Sequence, residues 1–187
     1  MKYVKMLGLA AMAAMALMAF GAGTASATTL YSTGAPISAG TTLHATLEGG
    51  TALLSTTDGK TLVDTCTGST VHGTTSNTSG TTVTGNISTL SWTGCTVTTD
   101  TLTNGTLHID STGTVTGSGS VVTVNFGGVS CRYGTGLGTH LGTLGTSTLA
   151  INAVINEQEP KSFICPDTTK WVANYVITTP HDVTAGA

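Results

Sequence analysis

Across residues 41–48 apolar and polar positions alternate strictly, with Leu43, Ala45 and Leu47 on one side and Thr42, His44, Thr46 and Glu48 on the other. A period of two predicts a half-buried strand. Residues 106–110 repeat the pattern, with Leu107 and Ile109 inward, directly after the turn signal Asn104-Gly105. Residues 61–74 and 81–93 form two longer extended runs joined by Ser76-Asn77-Thr78-Ser79-Gly80, which predicts a hairpin with a five-residue loop. In the second run the apolar parity moves from Val83 and Ile87 to Leu90 and Trp92, and the shift calls for a bulge or a bend. Residues 120–126, 148–155 and 171–178 carry apolar side chains on both parities, as central strands covered on two faces would.

Turn signals at Asp58-Gly59, Ser79-Gly80, Asn104-Gly105, Gly117-Ser118-Gly119 and Gly127-Gly128 are spaced for short strands, and no stretch after residue 27 sustains a 3.6-residue period. The fold class expected is all-β: one antiparallel β-sandwich, Ig-like or Greek-key, over residues 28–187. Residues 28–40 and 180–187 are small and weakly patterned, and are expected to be mobile. Composition agrees. The chain of 187 residues has 42 threonines and 25 glycines but only 8% charged residues, so strand and turn propensities dominate and an α-rich fold is excluded. A mean hydropathy of +0.25 indicates enough apolar surface for a core.

The first 27 residues read as an address. Lys2 and Lys5 precede an uncharged apolar run, residues 6–20, which leads into Ala25-Ser26-Ala27. This is the pattern of a secretory signal peptide cleaved after Ala27, too short for the ~20 residues of a membrane span. The expected product begins at Thr28, is secreted, and does not insert in a membrane. It carries four basic residues (Lys60, Arg132, Lys161, Lys170) against nine acidic ones, a balance of −5. With so few, scattered cations there is no patch to neutralise phosphates, and nucleic acid is not an expected partner.

Export places Cys66, Cys95, Cys131 and Cys165 in an oxidising compartment, where two disulfides are expected. Four cysteines allow three connectivities, and the sequence alone does not choose among them. Nearest-neighbour pairing is preferred because it closes loops of about thirty residues without threading. The cysteine spacings of 29, 36 and 34, with no C-x-x-C and no histidine within four residues, exclude a familiar zinc pattern.

No catalytic, cofactor or metal residue is singled out. The glycine run from Gly134 to Gly145 lacks the Lys-Ser/Thr pair and the following helix of a phosphate loop, and reads as a plain loop. His44, His72, His108, His140 and His181 read as exposed histidines, with Glu48 and Asp110 the only same-face carboxylates near His44 and His108. No serine or threonine is marked out as a nucleophile. Glu157 and Glu159, in the polar stretch 156–160, read as solvated loop charges. Triplets at Asn77, Asn86 and Asn104 fit the N-glycosylation pattern, and Trp92 and Trp171 read as core.

Around the cysteines, the stretches 64–69 (DTCTGS), 90–95 (LSWTGC), 128–134 (GVSCRYG) and 165–171 (CPDTTKW) resemble a group of small secreted four-cysteine proteins of actinobacteria and related soil bacteria that have no assigned function. A more distant similarity, in the Gly-x-Ser-Cys segment from Gly128 to Cys131, is to the secreted alkane-oxidation activator proteins of pseudomonads. Both resemblances imply an exported bacterial β-sandwich held by disulfides, and neither implies catalytic residues. In composition the chain is also similar to actinobacterial chromoprotein carriers, which hold an apolar metabolite. The leading expectation is a non-catalytic secreted or cell-surface structural protein, with self-association or surface components as partners. An extracellular carrier of an apolar small molecule is the alternative, and a secreted enzyme with an unrecognised site the third.

Overall fold

The computed structural model describes residues 27–77 and 80–187. The predicted signal peptide, apart from Ala27, therefore lies outside the described residues. Fifteen strands and no helix are found among them. β1 (Thr29–Ser32) and β2 (Ala35–Pro36) open the chain, followed by β3 (Thr42–Leu47), β4 (Ala52–Thr56), β5 (Leu62–Thr75) and β6 (Thr82–Cys95). Then come β7 (Thr99–Thr103), β8 (Thr106–Asp110), β9 (Thr114–Ser118), β10 (Val121–Phe126), β11 (Val129–Gly134) and β12 (Thr139–Leu144). β13 (Thr148–Glu157), β14 (Thr168–Thr179) and β15 (Val183–Gly186) complete the set.

The class is all-β as expected, but the sandwich is not what forms. All strand pairings in the large sheet are antiparallel, and β14 returns to pair with both β3 and β4, closing the sheet on itself. Several strands share a position in the ring. β3 and β4 both lie between β5 and β14, one above the other. β7 with β8, β9 with β10, and β11 with β12 do not pair with each other and act as bent single strands. Counted this way, the ring has eight positions in an up-and-down order, a barrel without Greek-key crossovers.

The bends explain why a barrel was not legible. Asn104-Gly105, read as a turn signal, is a kink within one ring position, with Gly105 at φ +71°. A Cβ there would lie 2.4 Å from the Ser118 carbonyl oxygen, so the kink packs directly on its neighbour at Gly119-Ser120. That neighbour in turn is held to Thr135, whose carbonyl accepts from the Gly119 amide at 2.9 Å and whose hydroxyl accepts from the Ser120 amide at 3.0 Å. Three adjacent strands are thus creased at one height. The bulge foreseen in β6 is present, since His72 faces Thr89 while Gly73 faces Ile87, leaving Ser88 as the extra residue.

Inward and outward faces follow from the alternation. Along β13, Ile151, Ala153, Ile155 and Glu157 are buried while Asn152, Val154 and Asn156 face out. The strands expected to be covered on both faces are not, because a barrel has one layer: Val154 is 52% exposed. Threonine richness belongs to the outer face, where pairs such as Thr70 and Ser91 hydrogen bond across strands at 2.6 Å.

The terminal segments read as mobile are strands instead. β1 pairs with β2 and with β15, and this small sheet sits at the end of the barrel that carries the β5–β6 and β12–β13 hairpins. The Thr28 amide donates to Gly80, and the Leu30 amide to the Asn77 side chain. Leu30 (1% exposed), Ile37 (7%) and Val183 (0%) are buried there, so three isolated apolar residues in a polar context suffice to anchor the cap. At the opposite end the disulfides Cys66–Cys95 and Cys131–Cys165 match the preferred pairing. The first joins directly opposed residues of β5 and β6, and the second ties the segment 158–167 to β11.

Candidate functional site

Inward side chains from the strands of the barrel converge in its lumen, and they do not fill it. In the capped half, Leu43 (β3), Val71 (β5), Leu107 (β8), Leu141 (β12), Leu149 (β13) and Ile177 (β14) line a cavity of about 100 Å³. In the other half, Leu54 (β4), Trp92 (β6), Val124 (β10), Tyr133 (β11), Ile155 (β13) and Trp171 (β14) line a second of about 50 Å³. The two adjoin at a waist, since Leu90, Ser120, Thr135 and Trp171 border both. Ser120 and Thr135 come from the crease, and Leu90 follows the β6 bulge, so the irregularities of the strands set the height of the waist. Part of the upper space exists because Gly85 has no side chain: a Cβ there would meet only the Leu107 Cβ, at 3.8 Å.

Both tryptophans point inward, as expected, and meet edge to face with ring centroids 5.9 Å apart. Tyr175 continues the row, 6.4 Å from Trp171, and its hydroxyl donates to Ser69 at 3.0 Å. Tyr133 is fully buried, yet its hydroxyl has no protein partner, and neither does the buried Nε1 of Trp171. Burial, followed by the negative charge of Glu157, raises the Tyr133 phenol well above its ordinary range. The Tyr175 phenol is raised too, by burial, against the opposing hydrogen bond with Ser69.

Glu157 corrects a sequence expectation. It is 4% exposed at the end of β13, facing Tyr133 across the β11–β13 pairing, with its carboxylate accepting from the Ser162 amide at 2.9 Å. The inward parity of Ile151, Ala153 and Ile155 runs straight on to residue 157, and this was the available signal. Asp64 is the other buried acid, at 3% exposure, and it too escaped sequence reasoning. Its Oδ1 accepts from the Thr65 and Val97 amides and the Thr96 hydroxyl, and its Oδ2 from the Thr99 hydroxyl at 2.5 Å. These bonds tie the start of β5 to the strand β7. Although Asp64, Cys66 and Cys95 cluster closely enough to suggest metal ligation, both sulfurs are committed to a disulfide.

The histidines remain dispersed. His140 and His181 are exposed, while His44, His72 and His108 are half-buried on the outer surface rather than fully solvated. His44 stacks on His72 with centroids 4.0 Å apart and shares a 3.0 Å hydrogen bond with Thr178. The glycine run 134–145, expected to be a loop, spans the end of β11, the bend and β12. Asn77 uses its side chain on β1, Asn104 donates to Ser88, and Asn86 is exposed. No family model matches the chain, and neither a curated protein nor a solved structure does. The functional conclusion therefore rests on the geometry of the lumen.

Proposed function

We propose that the protein is an exported, non-catalytic carrier of a small apolar molecule, bound in the lumen of its barrel. The observation that carries this is the unfilled apolar interior: eight-position barrels either pack their centre with side chains or hold one small ligand, and this one leaves about 100 Å³ open among leucines, valines and isoleucines. For scale, an apolar cavity of ~150 Å³ stays dry and takes up benzene. Apolar residues inside and threonines outside are the reverse of a membrane barrel, whose apolar band faces lipid. The signal-peptide pattern and the two disulfides support export to an oxidising compartment. Ring closure leaves few free strand edges for pairing between chains, which withdraws the main support for a matrix role.

The test is native mass spectrometry of protein recovered from its own culture medium, followed by titration of the stripped protein with small apolar compounds. A bound small mass, lost in Gly85→Leu, is the expected result. Oligomer ladders without ligand, together with no uptake of any apolar compound by the stripped protein, would return the structural role to first place.

A further inference from the structure

Two buried hydrogen-bond donors in the lower cavity have nothing to donate to. Tyr133 has 0% exposure and an unpartnered hydroxyl, and the indole N–H of Trp171 is likewise buried and unpartnered. Both side chains line the same cavity, on β11 and β14, the two strands that flank the far end of β13. Buried tyrosine hydroxyls and indole N–H groups ordinarily find a partner, and leaving one without is costly. Of the other polar groups at this end, Asp64 is engaged by four donors, Tyr175 by Ser69, and the Trp92 indole N–H by Thr101 at 3.1 Å, while the buried hydroxyls of Thr65 and Thr169 also lack a partner but do not line the cavity.

Indole N–H can only donate, so the complementary group must accept. Charge narrows the class further. Glu157 is buried opposite Tyr133, Asp64 borders the same cavity, and no lysine or arginine is among the buried residues described. A carboxylate or phosphate placed here would meet negative charge without a cation to offset it. The space beyond the waist is lined mainly by leucine, isoleucine and valine side chains and adjoins through Trp171. Building on the carrier reading, we infer that the ligand is a neutral, carbonyl-bearing molecule with a short alkyl tail: its oxygen accepts from Tyr133 and Trp171 in the lower cavity, and its tail occupies the upper one.

The experiment uses the mature chain and three compounds of equal length: hexane, 2-hexanone and hexanoate. Trp92 and Trp171 are the only tryptophans, and both line the lower cavity, so their fluorescence reports binding, with calorimetry as a second readout. Expected is an affinity for 2-hexanone about tenfold or more above that for hexane, corresponding to ~1.4 kcal/mol, with hexanoate weakest. Tyr133→Phe should bring the ketone down toward hexane and leave hexane unchanged. Equal binding of ketone and hexane by the native protein overturns this inference while leaving the carrier reading standing, and needs no variant. A ketone preference that survives in Tyr133→Phe overturns it as well, since solvent would then be meeting the hydroxyl. Failure of all three compounds to bind overturns the carrier reading and this inference together.

Discussion

The hydroxyl of Tyr175 on β14 donates to the hydroxyl of Ser69 on β5 across 3.0 Å, linking two strands that are not neighbours in the ring. The position between them belongs to β3 and β4, and the bond falls near where β3 ends at Leu47 and β4 begins at Ala52. A side-chain bond thus bridges a stretch where the backbone ladder is interrupted.

From this follows a contrast between two buried tyrosines. Tyr175→Phe leaves Ser69, itself 4% exposed, without its donor and should cost about 1–3 kcal/mol. Tyr133→Phe removes a hydroxyl that has no protein partner, and should be neutral or stabilising in ligand-free protein. Urea unfolding of the two variants beside the native chain measures both, and equal losses would contradict the assignment.

Two glycines of the barrel should also part company. Gly142 has φ +155°, and a Cβ there would fall 1.8 Å from the Ala150 carbonyl oxygen, so Gly142→Ala should cost several kcal/mol or abolish folding. Gly85 has an ordinary strand conformation and faces the cavity, so Gly85→Ala should be tolerated with a change of about 1 kcal/mol or less. Thermal melts followed by circular dichroism distinguish them.

Reduction of the disulfides, at sequence separations of 29 and 34, should remove roughly 3 kcal/mol each in the chain-entropy account. A melting temperature lower by several degrees, or outright unfolding, is expected in strong reductant. If the thiols are shown to be free and the melt is unmoved, the bonds are not structural.

Alkaline titration tests the interior. Tyr133 and Tyr175 have phenols raised by burial, so each favours the neutral form in the folded state. Their contribution to stability is complete below the free-tyrosine value of about 10 and is lost as pH climbs from there toward the raised folded values. In ultraviolet titration these two should stay un-ionised through pH ~10 and ionise as the fold opens. Asp110 has the opposite sign: the Thr112 hydroxyl foremost, then the Thr114 and Thr112 amides, lower its carboxyl. Its small contribution is present above about pH 4 and fades as pH falls through the lowered value. In carboxyl-carbon NMR, Thr112→Val should raise that midpoint.

Local alternation was enough to place β3 and β8 and to orient Leu43, Ala45, Leu107 and Ile109 inward. The β5–β6 hairpin and its bulge were legible because parity breaks are recorded in the residues themselves. Ring closure was not, since a Gly in the left-handed region reads alike whether it turns a hairpin or creases a strand. The difference lies in which strands flank it: Thr106 faces Asn86 and Ser118 rather than anything in β7. Nor does composition reveal that Tyr133 lacks a partner, because that depends on what β11 and β14 leave undone across the lumen.

The pairing of β1 with β15 sets Thr29 opposite Gly186, so the first and last of the described strands meet on the cap and their outer ends lie side by side. A short bridge between the two ends, with a new opening cut at the exposed Gly127-Gly128 turn, should yield a circular permutant that retains every barrel pairing. The same adjacency means that a domain inserted into that turn and one fused at the termini would project from opposite ends of the lumen, giving separate handles on each mouth of the barrel.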